Sequence, residues 1–161
     1  MSDVGLVRKQ QIKYGAGINL EQALTPNVGL FARAAINNGA TETYAFAEID
    51  RSVSGGASIK GASGGRTEDL LGIAFVRNSL SVAHRDYLSA GGMGFFVRDG
   101  HLSYKPEQIF ETYYNLNIRK GATIAFGFKR IVNPTYNADR GPVSVSSVHY
   151  TRSSDFYRLT L

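Results

Sequence analysis

The stretch YGAGINLEQALTPNVGLFARAAIN, residues 14–37, reads as two strands joined by a tight turn. Tyr14, Ala16, Ile18 and Leu20 alternate with Gly15, Gly17, Asn19 and Glu21, a period of two that gives one greasy face and one polar or small face. Thr25-Pro26-Asn27 then turns the chain, with proline presetting φ. Val28, Leu30, Ala32, Ala34 and Ile36 resume the alternation against Gly29, Phe31, Arg33, Ala35 and Asn37, and Asn37-Asn38-Gly39 opens a loop.

Outward from this hairpin the same grammar repeats. A third segment spans about Tyr44–Lys60, with Ala45, Ala47, Ile49, Val53, Ala57 and Ile59 in one phase. Glu48, Asp50, Ser52, Ser54, Ser58 and Lys60 hold the other phase, and Arg51 breaks the apolar one, a position suited to a snorkelling interface residue. About seventeen residues is long for a soluble strand and suits a tilted barrel strand. Gly61–Glu68 reads as a turn, Leu70–Asn78 as a fourth strand, and Ser79–Lys105 as a long loop. Pro106–Ile118 is the fifth strand, with Phe110, Thr112, Tyr114, Leu116 and Ile118 on one face. Arg119-Lys120-Gly121 turns the chain into the sixth, where Ile124, Phe126 and Phe128 share a face. Asn133–Pro142 is the last long loop, and a seventh strand starts at Val143. Its apolar phase slips between Val145 and Val148, which predicts a bulge. No amphipathic helix of useful length is expected.

The seven segments are therefore joined in the order short, long, short, long, short, long. Short turns on the periplasmic side and long loops outside are the habit of a transmembrane β-barrel. The fold class expected is all-β, an antiparallel transmembrane barrel segment of about seven strands, incomplete as a single chain.

Composition agrees. The 161 residues include 18 Gly, 9 Tyr, 9 Phe and no Cys, and only 19% are charged. Aromatics argue against disorder. No run approaches the roughly 18 apolar residues of a membrane helix, which leaves a barrel open because its strands alternate. The absence of Cys removes disulfides, thiolate metal sites and Cys nucleophiles. The net charge of +5 comes from singly scattered Lys and Arg, so no nucleic-acid partner is expected. Arg8 and Lys9 are followed by no apolar stretch, so no signal peptide is read in Met1–Gln11.

Catalytic patterns are missing. His84-Arg85-Asp86 spells a kinase-loop fragment, but Gly91 stands where Asn is needed and no Asp-Phe-Gly follows. The three His lack metal spacing, Gly64-Gly65-Arg66-Thr67 lacks the P-loop Lys, and no nucleophile elbow occurs. Glu48 and Asp50, two apart on one strand face, would sit about 6.5–7 Å apart at Cα and read as a polar, water-facing wall. No enzyme activity, cofactor or metal is expected.

Several stretches resemble the carbohydrate-selective porin family of Gram-negative outer membranes. They are Tyr14–Gln22, Leu30–Arg33, Ala45–Ser52, His84–Leu88 with Gly91-Gly92 and Gly94-Phe95, Pro106–Ile109, and Asn133–Val143. Their order and spacing match that family's C-terminal part over about residues 12–148. The resemblance implies a water-filled barrel of about sixteen strands that passes sugars down their gradient, without cofactor or chemistry. It divides the chain into residues 1–11 outside the barrel, 12–156 as the C-terminal part of a porin barrel, and 157–161 as an atypical tail beyond Phe156, the candidate terminal aromatic. It places the product in the cell outer membrane if exported. It implies sugars as permeant solutes and outer-membrane lipid as surroundings. A separately encoded N-terminal porin half, or self-association, would complete the barrel.

The lumen-facing candidates along the substrate pathway are Arg33, Glu48, Asp50, Glu111, Tyr113 and Lys129. Asn133, Pro134, Tyr136, Asn137, Asp139, Arg140 and Gly141 form a candidate structural loop motif. Two other readings stand beside the porin segment: a non-functional truncated remnant, and a soluble β-sheet ligand-binding domain. Alternation alone cannot separate the last from a porin, because it shows two faces without saying which is inside.

Overall fold

The computed structural model describes residues 11–41, 48–61, 64–94, 97 and 100–153. Seven strands form one sheet in the order β1 to β7, each antiparallel to its sequence neighbours. They are β1 Gly15–Thr25, β2 Val28–Asn37, β3 Arg51–Gly61, β4 Arg66–Ser79, β5 Glu107–Arg119, β6 Ala122–Val132 and β7 Val143–Arg152. A meander of this kind needs only local connections. The β5–β6 joint is a two-residue turn whose second residue, Gly121, has φ +76, a left-handed conformation that glycine adopts without steric cost. Among the described residues β1 and β7 do not pair, so the sheet stays open, an incomplete barrel.

Register sorts the side chains into two faces. Residues directly opposite share a face, so Leu20, Ala32, Gly55, Phe75 and Phe110 form one row across five strands. Val28, Ile59, Leu71, Tyr114, Phe126 and Val148 form another on the same side. This apolar face is bare: Ile18 is 58% exposed, Leu20 59% and Val53 61%. A soluble monomer rarely leaves so continuous a patch uncovered. Arg51, Arg77 and Arg130 lie on that face toward the long-loop end, where a charged head reaches polar surroundings above a greasy band.

The only buried apolar cluster among the described residues lies in the long loops, not under the sheet. Leu80, Leu88, Val97, Leu102 and Tyr136 form it, with Tyr104 packed alongside. A soluble sandwich would bury one sheet face; this chain instead buries a small core at one end of the strands.

Four sequence expectations change. β3 begins at Arg51, so Glu48 and Asp50 precede the strand, while the Tyr44–Ala47 part of that expectation lies outside the described residues. β4 starts at Arg66, inside the expected turn. The long loop contains a helix, α1 Val82–Ser89, capped by the Ser81 side chain, which accepts from the His84 N–H. Finally, β7 pairs with β6 without a bulge from Ala122↔Arg152 to Ile131↔Val143. Val143 and Val145 therefore share the polar face with Ile131 and Lys129, while Val148 and Tyr150 join the apolar one. The expectations for residues 1–10, Phe156 and residues 157–161 lie outside the described residues.

Candidate functional site

The polar face carries two cross-strand ion pairs. Arg33 on β2 reaches Glu21 on β1 at 3.0 Å and also donates from Nε to Asn19 Oδ1 at 2.9 Å. Its guanidinium lies 5.0 Å from the centroid of the Phe31 ring. Lys129 on β6 pairs with Glu111 on β5 at 3.1 Å. Register sets Glu21, Phe31, Gly56, Ala74, Glu111 and Lys129 in one row. Glu21, Glu111 and Lys129 therefore lie in one row, with Arg33 two residues further along β2, opposite Asn19 and Ser54. Both pairs are about half exposed, and such pairs contribute only ~0–1 kcal/mol to stability. Their effect is on the field in front of the face rather than on the fold.

Tyr113 shares this face. Its ring fills the space where a Cβ would stand on Gly72 of β4, and the Phe31 ring does the same over Gly56 of β3. Of the six expected pathway residues, Arg33, Glu111, Tyr113 and Lys129 thus share one face. Glu48 and Asp50 do not join them: they are 4% and 2% exposed, inside the loop cluster. Their alternation suggested a strand, but burial by the loops displaced them from it.

The three long loops meet over the polar face at one end, forming a cap. Asp50 is its hub. It accepts hydrogen bonds from the Ser81 N–H and from His84 Nδ1, each at 2.9 Å. Gly39, at φ +57, lies so close that a Cβ there would strike Ser81 and Asp50. Glu48 accepts from the Val97 N–H at 3.3 Å. A chain of side chains ties cap to sheet: Ser52 donates to Asn78 at 2.9 Å, Asn78 to Glu107 at 3.3 Å, and Glu107 accepts from the Thr135 N–H at 3.0 Å. His84 was read only as part of a rejected kinase-loop fragment and of the family-like stretch, and Asn78 and Glu107 were not singled out from sequence. The Ser81-x-x-His84 spacing, an N-cap signal, could have found the first.

The Asn133–Gly141 motif builds the third loop. Asn133, at φ 51, donates to the Pro106 carbonyl at 3.0 Å and precedes the 3-10 turn Pro134–Tyr136. Tyr136 donates to the Glu48 carbonyl at 2.6 Å. Asn137 bridges Tyr104 and accepts from the Asp139 N–H, while Arg140 donates to Thr135 Oγ1 at 2.6 Å. Gly141 is exposed and leads into β7.

Burial, with smaller contributions from Glu107, Asp50, Tyr104 and Glu48, raises the Tyr136 pKa above its usual 10.0. The folded state then holds a proton the unfolded state gives up. The associated stability is complete below pH ~10 and falls as pH rises further. Proteolysis of the loops should accelerate above pH ~10, and Tyr136→Phe should blunt that rise while costing about 1 kcal/mol at neutral pH for the lost hydrogen bond. An unchanged alkaline profile in the variant would exclude Tyr136 as its source.

The described residues hold no group of three or more potential metal ligands. No helix among them is long and apolar enough to cross a membrane. Neither a curated protein nor a solved structure matches the chain. The family model described as carbohydrate-selective porin, OprB family, matches residues 2–153, a range that includes all seven strands and the cap. The chain belongs to the carbohydrate-selective porin family.

Proposed function

We propose that this chain forms part of the wall of a water-filled outer-membrane barrel through which sugars diffuse passively. The observation that carries the reading is the division of one open sheet into a bare apolar face and a face bearing cross-strand ion pairs. Lipid covers the first, and water and permeant solutes meet the second, the arrangement a porin wall requires. Arg33, Glu111, Tyr113 and Lys129 face the lumen. Glu48 and Asp50 act indirectly, by holding the cap over its outer end. No bond is made or broken: selection comes from charged and polar groups that bind weakly enough to release the solute. A separately encoded N-terminal half, or further copies of the chain, closes the barrel.

The test is refolding in detergent with and without a supplied N-terminal porin half, followed by gel migration and liposome swelling. A heat-sensitive folded band and sugar-driven swelling that appear only with the second half support the reading. Absence of both under either condition leaves a remnant of the family. In the assembled channel, Lys129→Glu should move the reversal potential toward cation selectivity while sugar-driven swelling persists. It would also set two carboxylates opposite each other, a cost of roughly 0.2–1 kcal/mol.

A further inference from the structure

We propose that Arg51, Arg77 and Arg130 form a docking belt for phosphate-bearing lipid headgroups along the long-loop end of the apolar face. The belt rests on the barrel-wall part of the reading above and not on the solute that passes.

The three arginines sit on β3, β4 and β6, and register fixes their offsets. Arg77 stands opposite Val53, two residues from Arg51 toward the short turns. Arg130 stands opposite Phe110, which pairs with Phe75, two residues below Arg77. From β3 to β6 the line thus descends by four residues over three strand spacings. At ~4.8 Å per spacing and ~3.4 Å per residue, that is a diagonal of about 43° to the rows. Barrel strands tilt by roughly 35–45°, so the diagonal stands level with the membrane plane. The hand agrees. Asn37 donates its backbone N–H to Asp50 on the β3 side, and Asn38 donates to Tyr14 on the β1 side. For L-residues with the apolar face outward and the long loops up, this sets each later strand to the left of the one before. Strands that tilt to the right then carry a level line toward the short turns from β3 to β6.

Carried back toward β1, the same line meets Tyr14, which is 70% exposed, and on β5 and β7 it meets Gln108 and Ser144. Val53, Phe75 and Phe110 begin the bare apolar band beneath it. A polar and aromatic line above a greasy band is the interfacial girdle of a barrel. Its charge has one sign. The nearest strand carboxylates, Glu107 and Glu111, alternate onto the polar face, and Glu68 and Asp69 lie at the short-turn end of β4. All three arginines are exposed, and none has an ion-pair partner among the described residues. Arg130 donates only to Ser144 Oγ, at 3.1 Å. The occupant must therefore bring hydrocarbon to the band and an anion to the belt in one molecule, which is the build of an anionic lipid. Phosphate is the headgroup anion that a guanidinium fork matches, two oxygens at a time. A free anion would leave the band uncovered, and an acidic protein segment would have no acyl chain to lay against it.

The experiment is native mass spectrometry of the full chain in neutral maltoside micelles, with and without the supplied N-terminal half. The belt lies within β3–β6, so the readout needs the sheet, checked by its far-ultraviolet β signal, and not a closed barrel. The probes are dimyristoyl phosphatidic acid and dimyristoylglycerol, which share acyl chains and differ in the phosphate. Wild type should reach half-occupancy with the phosphatidic acid at a roughly hundredfold lower concentration than with the diacylglycerol. Each of Arg51→Gln, Arg77→Gln and Arg130→Gln should weaken it roughly fivefold, and the triple variant should fall to the diacylglycerol level. Lys60→Gln, which removes a cation from the polar face, should change nothing, and equimolar inorganic phosphate should not displace the lipid. Equal half-occupancy for both lipids in wild type overturns the proposal, as does an unchanged preference in the triple variant. So does a loss in Lys60→Gln equal to that in Arg77→Gln, or displacement by inorganic phosphate. A failed swelling assay with the lipid preference intact sinks the sugar-channel reading alone, and a missing preference in a channel that swells sinks the belt alone.

Discussion

Refolded by itself into a lipid bilayer, the 161-residue chain yields no discrete, long-lived conductance as a monomer. β1 and β7 each leave one side of their backbone unpaired among the described residues. In hydrocarbon every unsatisfied peptide group costs several kcal/mol. Two edges of 11 and 10 residues present many such groups, a penalty far above the ~5–15 kcal/mol net stability of a typical domain. The edges must therefore find partners, or the sheet stays out of the bilayer and associates edge to edge in water. Planar-bilayer recording of purified monomer tests this directly. Stable unitary steps from the monomer would show that the sheet closes on itself and would refute the open-barrel account.

The second large effect concerns Asp50. Replacing it with Ala leaves the Ser81 N–H and the His84 ring without their shared acceptor inside a buried cluster. Each stranded donor costs about 1–3 kcal/mol, so the cap should lose roughly 3 kcal/mol. The sheet should keep its register, because no strand pairing depends on that carboxylate. Limited proteolysis should then cut residues 80–106 much faster than in the parent, while the far-ultraviolet β signal holds. Asp50→Asn, which keeps an acceptor oxygen, should be milder. Equal protease resistance in Asp50→Ala and the parent would remove Asp50 as the hub.

Most of the sheet was legible from residues 14–37 outward, because strand phase is a local property. Alternation in Tyr14–Leu20 or Phe110–Ile118 needs only neighbouring side chains to be read, and turns such as Lys120-Gly121 announce themselves. The cap was not legible. Its central contact joins Asp50 to His84 across 34 positions, and no local pattern encodes such a meeting. α1 is eight residues long, too short to build a helical period that stands out. Glu48 and Asp50 continued the alternation of β3 by composition, yet tertiary burial pulled them out of the strand. The slip in β7 was visible, but its resolution was misread: two valines turn to the polar face and the register stays unbroken. Arg33, Glu111, Tyr113 and Lys129 could be assigned to one phase from sequence. The pairing of Glu111 with Lys129 and of Arg33 with Glu21 needed the register, which no single strand reveals.

The cap has a consequence for how the molecule is made. Its three loops come from three successive hairpins, and Tyr136 from the last must reach Glu48 at the end of the first. Asp50, Ser81 and His84 join the first two loops, and the full set of contacts is complete only when Tyr136 of the third arrives on the same side. The complete cap therefore requires all three long loops to stand at the same end of the sheet. A chain stalled halfway would show its loops to the proteases that clear misassembled envelope proteins, and a finished one would hide them.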